Sequence, residues 1–278
     1  MTTGAARTRI ARAPVVTLRD GRVRHRTDAL AGEEPLEIRA AGPGQEPVRV
    51  AVTMRTPGDD FELAAGFLIT EGLVAPDGID AVAYCEDPDA QHYNVVTVRT
   101  RTPFDLGTAE RNFFATSSCG ICGKATLEAV TVRCTPLPPG PKVSADALLA
   151  MPDALRERQQ VFDRTGGLHA AGLFDPDGGL CLLREDVGRH NAVDKVVGAV
   201  ALETGPSGQV LLVSGRLSFE IVQKAAVARI PIICAISAPS SLAVSAADEL
   251  GVTAIGFLRP GGLNIYTHPD RVVIGRAG

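Results

Sequence analysis

QVLLVSGRLSFEIVQKAAVARIPIICAIS, residues 209–237, holds two short apolar runs, QVLLVS and PIICAIS, on either side of a stretch whose apolar residues recur at helical spacing. A third apolar run, TAIGF at residues 253–257, follows another helical stretch, SLAVSAADEL. Short continuous apolar runs that alternate with helices are typical of strands buried on both faces of a parallel sheet. The pattern therefore predicts an α/β fold for the second half of the chain.

The same alternation extends upstream of these runs. Apolar spacing predicts a helix over residues 147–162, strands at 167–174 and 179–185, and a further helix over 190–203. Helices that connect the strands of one sheet must cover its faces, so these elements indicate an α/β layer sandwich.

The first half of the chain has a different pattern. Residues 15–27 and 36–56 alternate polar and apolar side chains around Gly and Pro turns, which predicts antiparallel strands. Two more strand-like runs lie at 78–87 and 92–100. Between the two groups of strands, residues 56–74 show helical spacing. The first half should therefore be rich in β-structure.

That helix has recognisable ends in the sequence. Thr56 or Asp59 can act as its N-cap, because both side chains carry an oxygen that can accept a backbone N–H. Gly72 is suited to its C-terminal end, where the chain often turns through a left-handed conformation.

A proline-rich segment, CTPLPPGPKVS, suggests where the chain divides into sub-domains. We predict a disordered leader at residues 1–14 and an N-terminal α+β sub-domain at 15–134. A linker at 135–144 then leads to an α/β sub-domain at 145–278. A length of 278 residues with 45% hydrophobic content is sufficient for such a core.

Composition disfavours nucleic acid and membranes as partners. The net charge is −4, and no Lys/Arg block stands out beyond Arg7–Arg26, which we interpret as a leader and a solvated first hairpin. No segment approaches the roughly 18 consecutive apolar residues of a membrane helix, so we expect a cytoplasmic protein. Four of the six cysteines, at 85, 134, 181 and 234, stand singly and are interpreted as reduced structural residues.

The strand ends of the predicted sheet carry candidate binding residues. In α/β sheets, ligands bind where the carboxyl ends of the strands lead into helices. Arg216 follows the first apolar run and Arg259 the third, and guanidinium groups can bind phosphate through two hydrogen bonds. Phe257 and Tyr266 can stack on a ring. A phosphate-bearing ligand is one interpretation; the other is that Gly215 and its neighbours only turn the chain.

A dense polar run, REDVGRHNAVDK at residues 184–195, separates a predicted strand from a predicted helix. Burying so many hydrogen-bonding groups is costly unless each has a partner. The run can therefore belong to a binding site, for which His190 is a candidate. Alternatively, it forms a capped helix with a surface ion network.

SSCGICGK, residues 117–124, places Cys119 and Cys122 at CxxC spacing. A structural zinc site normally needs four ligands, and the nearest further cysteine, Cys134, lies in the linker without a fourth residue at ligand spacing, which disfavours zinc. A thioredoxin-type redox pair is expected where a strand enters a helix, whereas this pair follows RNFFATSS. The redox alternative stays open.

The third alternative for this pair is sulfur relay. A thiolate accepts the outer sulfur of a donor persulfide and later passes it to an electrophile, and the second thiol assists release. Such a cysteine must be exposed, mobile and easily ionised. Gly120 and Gly123 favour mobility, and Lys124 supplies a positive charge that lowers a thiol pKa.

The segment TGGLHAAGLF, together with a CxxC elsewhere, has some similarity to zinc deaminases, whose signature pairs HxE with PCxxC. In this chain Ala171 stands where that signature has its Glu, and the CxxC precedes His169 and lacks the proline. Deaminase activity is therefore disfavoured.

Seven blocks of the chain, from about residue 15 to the end, together resemble the FdhD family of formate dehydrogenase accessory sulfurtransferases. In order, these blocks are MRTPGDDFELAAGFLITEG, SSCGICGK, TGGLHAAGLF, REDVGRHNAVDKVVG, VSGRLSFEIVQKA, SAPSSLAVSAADELG and IGFLRPGGLNIYTHP. The resemblance implies a three-layer α/β sandwich similar to cytidine deaminase, with a smaller β-rich N-terminal sub-domain.

The resemblance also implies a specific activity. Family members accept sulfur from a cysteine desulfurase on the CxxC and pass it to the molybdenum of bis-molybdopterin guanine dinucleotide, which formate dehydrogenase requires. By position, Cys119 would form the persulfide, with Cys122 as its partner. The family's cofactor-binding stretch corresponds to Phe257–Gly262, that is, to Phe257, Leu258, Arg259, Pro260, Gly261 and Gly262, and we add Arg216 and His190 as cofactor-binding candidates. A homodimer is implied as well.

A second function stays open at this point. The protein could be a chaperone that holds the matured cofactor or the apoenzyme, with the CxxC only supporting the structure. A thiol oxidoreductase is the third alternative.

Overall fold

A computed structural model describes residues 8–85, 94–105, 134–203 and 209–275 of the chain. Within these ranges the chain forms six α-helices and fourteen strands, which pair into four sheets. The elements of the first half are β1 Ile10–Arg19, β2 Arg22–Ala31, β3 Glu34–Ala41, β4 Val48–Arg55, α1 Asp60–Thr70, β5 Ile79–Tyr84 and β6 Val95–Thr100.

The second half alternates helices and strands, as its sequence pattern predicts. Its elements are β7 Val143–Ser144, α2 Ala145–Arg158, α3 Gln160–Thr165, β8 His169–Phe174, β9 Leu180–Asp186, α4 Arg189–Glu203, β10 Val210–Val213, α5 Phe219–Val227, β11 Ile232–Ala235, α6 Ser241–Glu249, β12 Thr253–Arg259, β13 Gly262–Ile265 and β14 Val272–Val273. Short 3₁₀ turns lie at Pro76–Gly78 and Pro269–Arg271.

The largest sheet has six strands in the order β13-β12-β11-β10-β8-β9. The three apolar runs that predict the fold form its parallel centre, β10, β11 and β12. The outer strands β8, β9 and β13 run antiparallel to their neighbours. The sheet is therefore mixed rather than wholly parallel, and β12 continues beyond the predicted run into a hairpin with β13.

Helices cover both faces of this sheet. Leu212 of β10 lies in one apolar cluster with Met151 of α2. Its neighbour Leu211 points to the opposite face and lies in a second cluster with Val193 of α4 and Ile221 of α5. Alternation of side chains along a strand explains this division. The predicted three-layer α/β fold is confirmed.

The four-stranded sheet of the first half has the order β4-β3-β6-β5. Ile38 of β3 and Val98 of β6 are fully buried, and they belong to the same apolar cluster as Leu211. One continuous core therefore extends through both halves of the chain. The predicted division at residues 135–144 stays a prediction; residues 134–142 form neither helix nor strand.

Helices α1 and α4 meet backbone to backbone in that core. A Cβ added to Gly66 of α1 would lie 1.8 Å from the carbonyl oxygen of Asp194, and one added to Gly198 of α4 would lie 1.8 Å from that of Glu62. Both distances are far below van der Waals contact, so only glycine allows the two helices to approach this closely.

The predicted C-terminal glycine of α1 is found in the structure, whereas the predicted N-cap hydrogen bond is not. Asp59 occupies the N-cap position, but its side chain makes no capping hydrogen bond and instead pairs with Arg9. The hydroxyl of Thr56 accepts the N–H of Val187 from the second half of the chain. Gly72 has a positive φ of 68° just beyond the helix, as a C-terminal glycine should.

The first hairpin, β1–β2, forms a separate two-stranded ribbon that pairs with no other described strand. Asp20 and Gly21 form its turn, and both have the positive φ that a type I′ turn requires. Gly32 closes the base by donating its N–H to the carbonyl of Arg9 at 2.8 Å. Because β1 begins at Ile10, the strand includes residues 10–14 of the predicted leader.

We expect Gly66→Ala to lower the free energy of unfolding by about 3 kcal/mol, since a new methyl group would force α1 and α4 apart. Urea denaturation measures the change. Gly275→Ala is the matched control: no atom lies within 4 Å of its Cβ position, so its effect should stay within about 0.5 kcal/mol. Equal urea midpoints for the two variants would contradict the close helix contact.

Candidate functional site

The carboxyl ends of β10, β11 and β12 lie at one edge of the six-stranded sheet, and the antiparallel strand β8 brings His169 to the same edge. Ser214, directly after β10, ties the two strands together there. Its hydroxyl accepts the N–H of Ala170 at 2.9 Å, and its own N–H donates to the carbonyl of Ala170 at 2.9 Å. This edge is where α/β sheets bind ligands.

Backbone hydrogen bonds join the three loops at this edge. Leu217 donates its N–H to Ala238 at 3.1 Å and accepts the N–H of Ser240 at 3.0 Å. Phe257 donates its N–H to the carbonyl of Ser237 at 3.1 Å. Loops that are cross-linked in this way present one preformed surface rather than three independent segments.

Strand β12 is irregular where it reaches this edge. Its register against β13 shifts between Gly256 and Arg259, and Phe257 within the shift has a positive φ of 53°. A Cβ on Gly256 would lie 2.8 Å from Cδ of Pro239, so this position requires glycine. Bulges redirect side chains at sheet ends and are frequent beside functional sites. Here the ring of Phe257 is 38% exposed.

Two arginines present guanidinium groups at the same edge. Arg259 lies over the ring of Phe257, with its guanidinium carbon 5.8 Å from the ring centroid, and its Nε donates to the carbonyl of Ile236 at 3.4 Å. Arg216 is exposed and has no hydrogen bond or ion pair with the described residues. An anion can therefore approach both groups without breaking a strong ion pair.

The other residues of the predicted cofactor-binding stretch divide into two groups. Pro260 and Gly261 form the exposed turn between β12 and β13, and the exposed Gly262 begins β13. Leu258 is fully buried in the apolar cluster that faces α2, so its side chain cannot reach a ligand at the surface. Its contribution to a binding site is limited to the backbone.

His190 stands at the start of α4, facing the start of α5. Its Nε2 lies 3.5 Å from the hydroxyl of Ser218 and 4.0 Å from a carboxylate oxygen of Glu220. Burial, reinforced by the positive charges of Arg189 and Lys224, lowers the pKa of His190 to about 4. The imidazole is therefore neutral near pH 7 and can exchange hydrogen bonds with a ligand without carrying charge.

Glu220 is the acidic residue of this group. Its burial raises the pKa, but hydrogen bonds from its own backbone N–H and from the hydroxyl of Ser218 outweigh that effect, so the pKa of Glu220 is lowered overall. A carboxylate beside His190 and Ser218 orients both groups, and it disfavours a second anion at this point.

A cleft of about 570 Å³ opens beside the same edge, on the α2 side of the sheet. His169, Ser214 and Ile236 border it on the sheet, and Arg156 and Phe162 border it on the helices. Its volume lies in the range of small-molecule sites. Burial, together with the nearby charge of Arg189, lowers the pKa of His169 despite the opposing effect of Asp186.

The polar run at residues 184–195 is mainly a buried support for this edge. Asp186 and Lys195, both with fully buried side chains, form an ion pair at 2.8 Å. Asp186 also accepts the N–H of Thr56, and Lys195 donates to the carbonyl of Thr56. Glu185 accepts the N–H groups of Val161 and Phe162 at the start of α3. The ion network is therefore buried, not at the surface as the structural alternative supposed.

A second buried ion pair lies further along α4. Asp194 and Lys224 of α5 are 2.9 Å apart, and Lys224 also bonds Glu71 and Thr70 at the end of α1. Burial raises the pKa of Asp194 in spite of Lys224. Burial alone would lower the pKa of Lys224. The nearby carboxylates of Asp194 and Glu71 have the larger combined effect, so the pKa of Lys224 is raised overall. The pair connects α1, α4 and α5.

Cys119 and Cys122 lie outside the described residues. The four cysteines within them are free thiols. Burial raises the pKa of both Cys134 and Cys234, and Cys234 is fully enclosed in the core. Cys181 is exposed rather than packed, and burial together with the charge of Asp175 raises its pKa. None of these three thiols is easily ionised.

The described residues include neither a metal-binding cluster nor a helix suited to cross a membrane. They contain no group of three or more His, Cys, Asp or Glu side chains placed to hold a metal ion. None of the helices in these ranges has the length and apolar composition needed to cross a lipid bilayer.

Comparison with known proteins assigns the chain to a family. The sequence profile of the FdhD/NarQ family matches residues 31–273. A relative from Streptomyces coelicolor, sulfur carrier protein FdhD, is 52% identical over 277 residues, which covers 95% of each chain. The chain belongs to the FdhD/NarQ family.

More distant FdhD/NarQ members show how far the likeness extends. Sulfur carrier protein FdhD of Saccharolobus solfataricus is 45% identical over 95% of this chain and 98% of its own. The crystal structure of a protein assigned as a formate dehydrogenase accessory protein, from Desulfotalea psychrophila, matches with a TM-score of 0.73 at 24% identity, over 96% of this chain and 100% of that chain. This second likeness shows the fold alone.

The region matched to the FdhD/NarQ family includes both cysteines of the CxxC and every predicted cofactor-binding residue. The matched region begins at residue 31, where β2 ends, so the match leaves out the rest of the first hairpin.

The structure also brings in residues that sequence reasoning did not select. His169 stands out in the sequence only through its likeness to deaminases, yet it borders the cleft, and Arg189 comes close to it. A Cβ on Gly215 would contact the ring of His169 and Cδ of Arg189 at 3.5–3.6 Å. A histidine two residues after a pair of glycines, at the start of a strand, is the only sequence signal for this contact.

We expect the imidazole of His190 to titrate near pH 4, because burial and Arg189 oppose its protonation. Its folded-state pKa is below its ordinary value of 6.5. It therefore contributes stability that is complete above pH 6.5 and is lost as the pH falls towards 4. A histidine NMR titration measures this, with His190→Gln to assign the signal. Titration of that signal between pH 6 and 7 would contradict the buried environment.

We expect Lys195→Met to lower the free energy of unfolding by about 3–5 kcal/mol, because it leaves the carboxylate of Asp186 buried without its ion-pair partner. Arg101→Met is the matched control. It breaks an ion pair with Asp80 whose side chains are 60% and 58% exposed, and it should cost less than about 1 kcal/mol. Chemical denaturation of both variants gives the comparison, and equal losses would show that Asp186 is not buried.

Proposed function

We propose that this chain is a sulfurtransferase, which accepts persulfide sulfur on Cys119 and transfers it to the molybdenum of bis-molybdopterin guanine dinucleotide. The observation that carries the proposal is the near full-length likeness to proteins named sulfur carrier protein FdhD. The CxxC lies within the region matched to the family.

The sulfur acceptor must be a thiol that ionises readily, because the thiolate is the attacking species. Raised pKa values of Cys134, Cys181 and Cys234 disfavour these three thiols. Cys119 has Lys124 and two glycines nearby in the sequence, which favour ionisation and access.

The first transfer step conserves sulfur and charge. The thiolate of Cys119 attacks the outer sulfur of the donor's persulfide, a new S–S bond forms, and the donor cysteine leaves as a thiolate. For release, the thiolate of Cys122 attacks the inner sulfur of that persulfide. A Cys119–Cys122 disulfide forms, the outer sulfur leaves as hydrosulfide for the cofactor, and a cellular dithiol then reduces the disulfide.

The loop surface at the strand ends supports binding of the cofactor, which is the substrate here. Arg216 and Arg259 can bind its phosphates. The exposed ring of Phe257 can stack on a guanine. His190, neutral near pH 7, can donate or accept a hydrogen bond beside these groups.

The partners follow from this chemistry. A cysteine desulfurase supplies the persulfide, and a formate dehydrogenase receives the sulfurated cofactor. We further propose that the protein acts in the cytoplasm as a homodimer, because a cofactor with two guanine dinucleotide arms needs two such strand-end sites.

We expect the protein, after incubation with a cysteine desulfurase and cysteine, to gain the mass of one sulfur atom on the peptide that contains Cys119. Cys119→Ala should lose both this gain and the activation of a formate dehydrogenase. The exposed Cys181 is the matched control, since Cys181→Ala should retain both. An unmodified Cys119 peptide, with Cys119→Ala still active, would refute sulfur carriage. Activity of Cys122→Ala shows whether the second thiol is required.

The competing function is a chaperone that binds the cofactor and needs no thiol chemistry. Under both functions, Arg216→Ala with Arg259→Ala should weaken binding of a guanine nucleotide, measured by calorimetry, by about 10-fold or more. Arg101→Ala, which changes an exposed arginine directly after β6 of the four-stranded sheet, should leave this binding unchanged. A double Cys119→Ala/Cys122→Ala variant that still activates the dehydrogenase would favour the chaperone. Rapid disulfide reduction by the purified protein would instead favour an oxidoreductase.

A further inference from the structure

Gln159 is a buried polar residue whose side chain has no hydrogen-bond partner. It lies between α2 and α3 and is only 5% exposed. Its backbone N–H donates to the carbonyl of Arg156 at 3.3 Å, and its carbonyl accepts the N–H of Asp163 at 3.0 Å. Its side-chain amide, in contrast, makes no hydrogen bond with any described residue. Burying an amide without a hydrogen bond costs free energy, so this side chain requires an explanation.

The amide of Gln159 points into the cleft beside the strand ends. Gln159 lines this cleft of about 570 Å³ together with Phe162, His169 and Ser214. The backbone N–H and carbonyl of Gln159 are both used within the helices, and neither atom of its amide is sealed from solvent. Because the residue as a whole is almost fully buried, its amide reaches solvent through the cleft.

Two further neutral polar groups border the cleft. Burial and the nearby charge of Arg189 lower the pKa of His169, so its imidazole is neutral near pH 7 and offers one donor and one acceptor. The hydroxyl oxygen of Ser214 accepts the N–H of Ala170 at 2.9 Å, and its proton remains available to donate. Within the described residues, neither side chain donates a hydrogen bond to another group. The cleft therefore offers donors and acceptors without charge.

The remaining lining of the cleft suits an uncharged, flat ligand. Arg156 pairs with Asp163, and its guanidinium carbon lies 4.8 Å from the centroid of the Phe162 ring. Its charge is therefore already balanced by a carboxylate. The other side chains along the walls are apolar: Pro152, Leu155, Leu168 and Ile236. Apolar walls with an aromatic ring and a few polar groups are typical of small-molecule sites.

An amide side chain recognises a particular kind of ring edge. Its oxygen accepts an N–H while its NH₂ group donates to a neighbouring acceptor, so one glutamine can form two parallel hydrogen bonds with a heterocycle. A lactam edge, in which a ring N–H stands beside a ring carbonyl, matches both atoms of the amide. Guanine and pterin rings both have this edge.

We propose that the cleft binds an uncharged heterocycle through its lactam edge, which the amide of Gln159 recognises. This inference rests on the proposed function, whose cofactor contains guanine and pterin rings, and it assigns a ring of that cofactor to the cleft. Ile236 connects the cleft to the loop surface, because it borders the cleft and its carbonyl accepts Nε of Arg259 at 3.4 Å. One ligand can therefore place a ring in the cleft and its phosphates near Arg259.

The test is calorimetry of the full-length protein with guanosine and, separately, with hydroxymethylpterin. We expect at least one of the two compounds to bind the wild-type protein, and Gln159→Leu to weaken that binding about 10-fold or more. The compound whose binding depends on Gln159 identifies the ring, and dependence of both means that the cleft accepts either. Methylation of the lactam nitrogen of that compound should weaken its binding to the wild-type protein but not to Gln159→Leu.

Urea denaturation separates recognition from a structural role of Gln159. Because its amide has no hydrogen bond to lose, Gln159→Leu should leave the urea midpoint unchanged or higher. Gln45→Leu is the matched control. The amide of Gln45 accepts the N–H groups of Gly42 and Phe104 and donates to the carbonyl of Phe104. This variant should lower the midpoint and leave binding of both compounds unchanged.

Three results would each overturn recognition by Gln159. They are no binding of either compound to the wild-type protein, equal binding by Gln159→Leu, and a loss of urea midpoint in Gln159→Leu as large as in Gln45→Leu. The sulfur-mass experiment on Cys119 does not depend on this cleft. A protein that carries sulfur but binds neither ring through Gln159 would therefore overturn this inference alone, whereas an unmodified Cys119 peptide would refute sulfur carriage.

Discussion

The contact between Gly66 and Gly198 is the constraint on which the rest of the structure depends. It allows α1 of the first half to lie against α4 of the second with no side chain between the two backbones. The carbonyl that faces Gly66 belongs to Asp194, whose carboxylate pairs with Lys224. The next residue, Lys195, pairs with Asp186. A single turn of α4 therefore fixes α1, α5 and the loop before α1 together.

This arrangement determines the shape of the strand-end site. His190 lies in the first turn of α4, and Ser218 immediately precedes α5, so the distance between them depends on how these helices are held. Buried ion pairs hold them at fixed spacing, because separating either pair would leave a charge without a partner in the core. In the proposed sulfur relay, a rigid base of this kind would hold the cofactor in place while a thiol approaches.

Much of the fold could be predicted from the sequence, because apolar periodicity reflects burial directly. The runs at 209–214, 231–237 and 253–257 become the parallel centre of the sheet. The hairpin between β12 and β13 could not be predicted, because its turn and bulge depend on contacts with Pro239 and Ser237 from another loop. Similarly, one predicted helix is two, α2 and α3, separated at Gln159.

The candidate site was also only partly predictable, because some of its residues meet only through contacts between segments that are distant in the sequence. Arg216 lies just after β10 and Arg259 ends β12, and both positions could be predicted from the apolar runs in the sequence. The contribution of His169 depends on the pairing of β8 with β10, which places the start of one strand beside the end of the other. The polar run at 184–195 contains both buried ion-pair residues of the core and a half-buried candidate site residue. Only the structure separates buried Asp186 and Lys195 from half-buried His190.

The central claim is that sulfur passes from Cys119 to a cofactor held at the strand ends. The most direct measurement loads the protein with ³⁵S through a cysteine desulfurase, removes the desulfurase, and adds the cofactor and an apo formate dehydrogenase. The account predicts that the label leaves the protein and is recovered with the cofactor extracted from an active dehydrogenase. Label that remains on the protein while the dehydrogenase becomes active would contradict it.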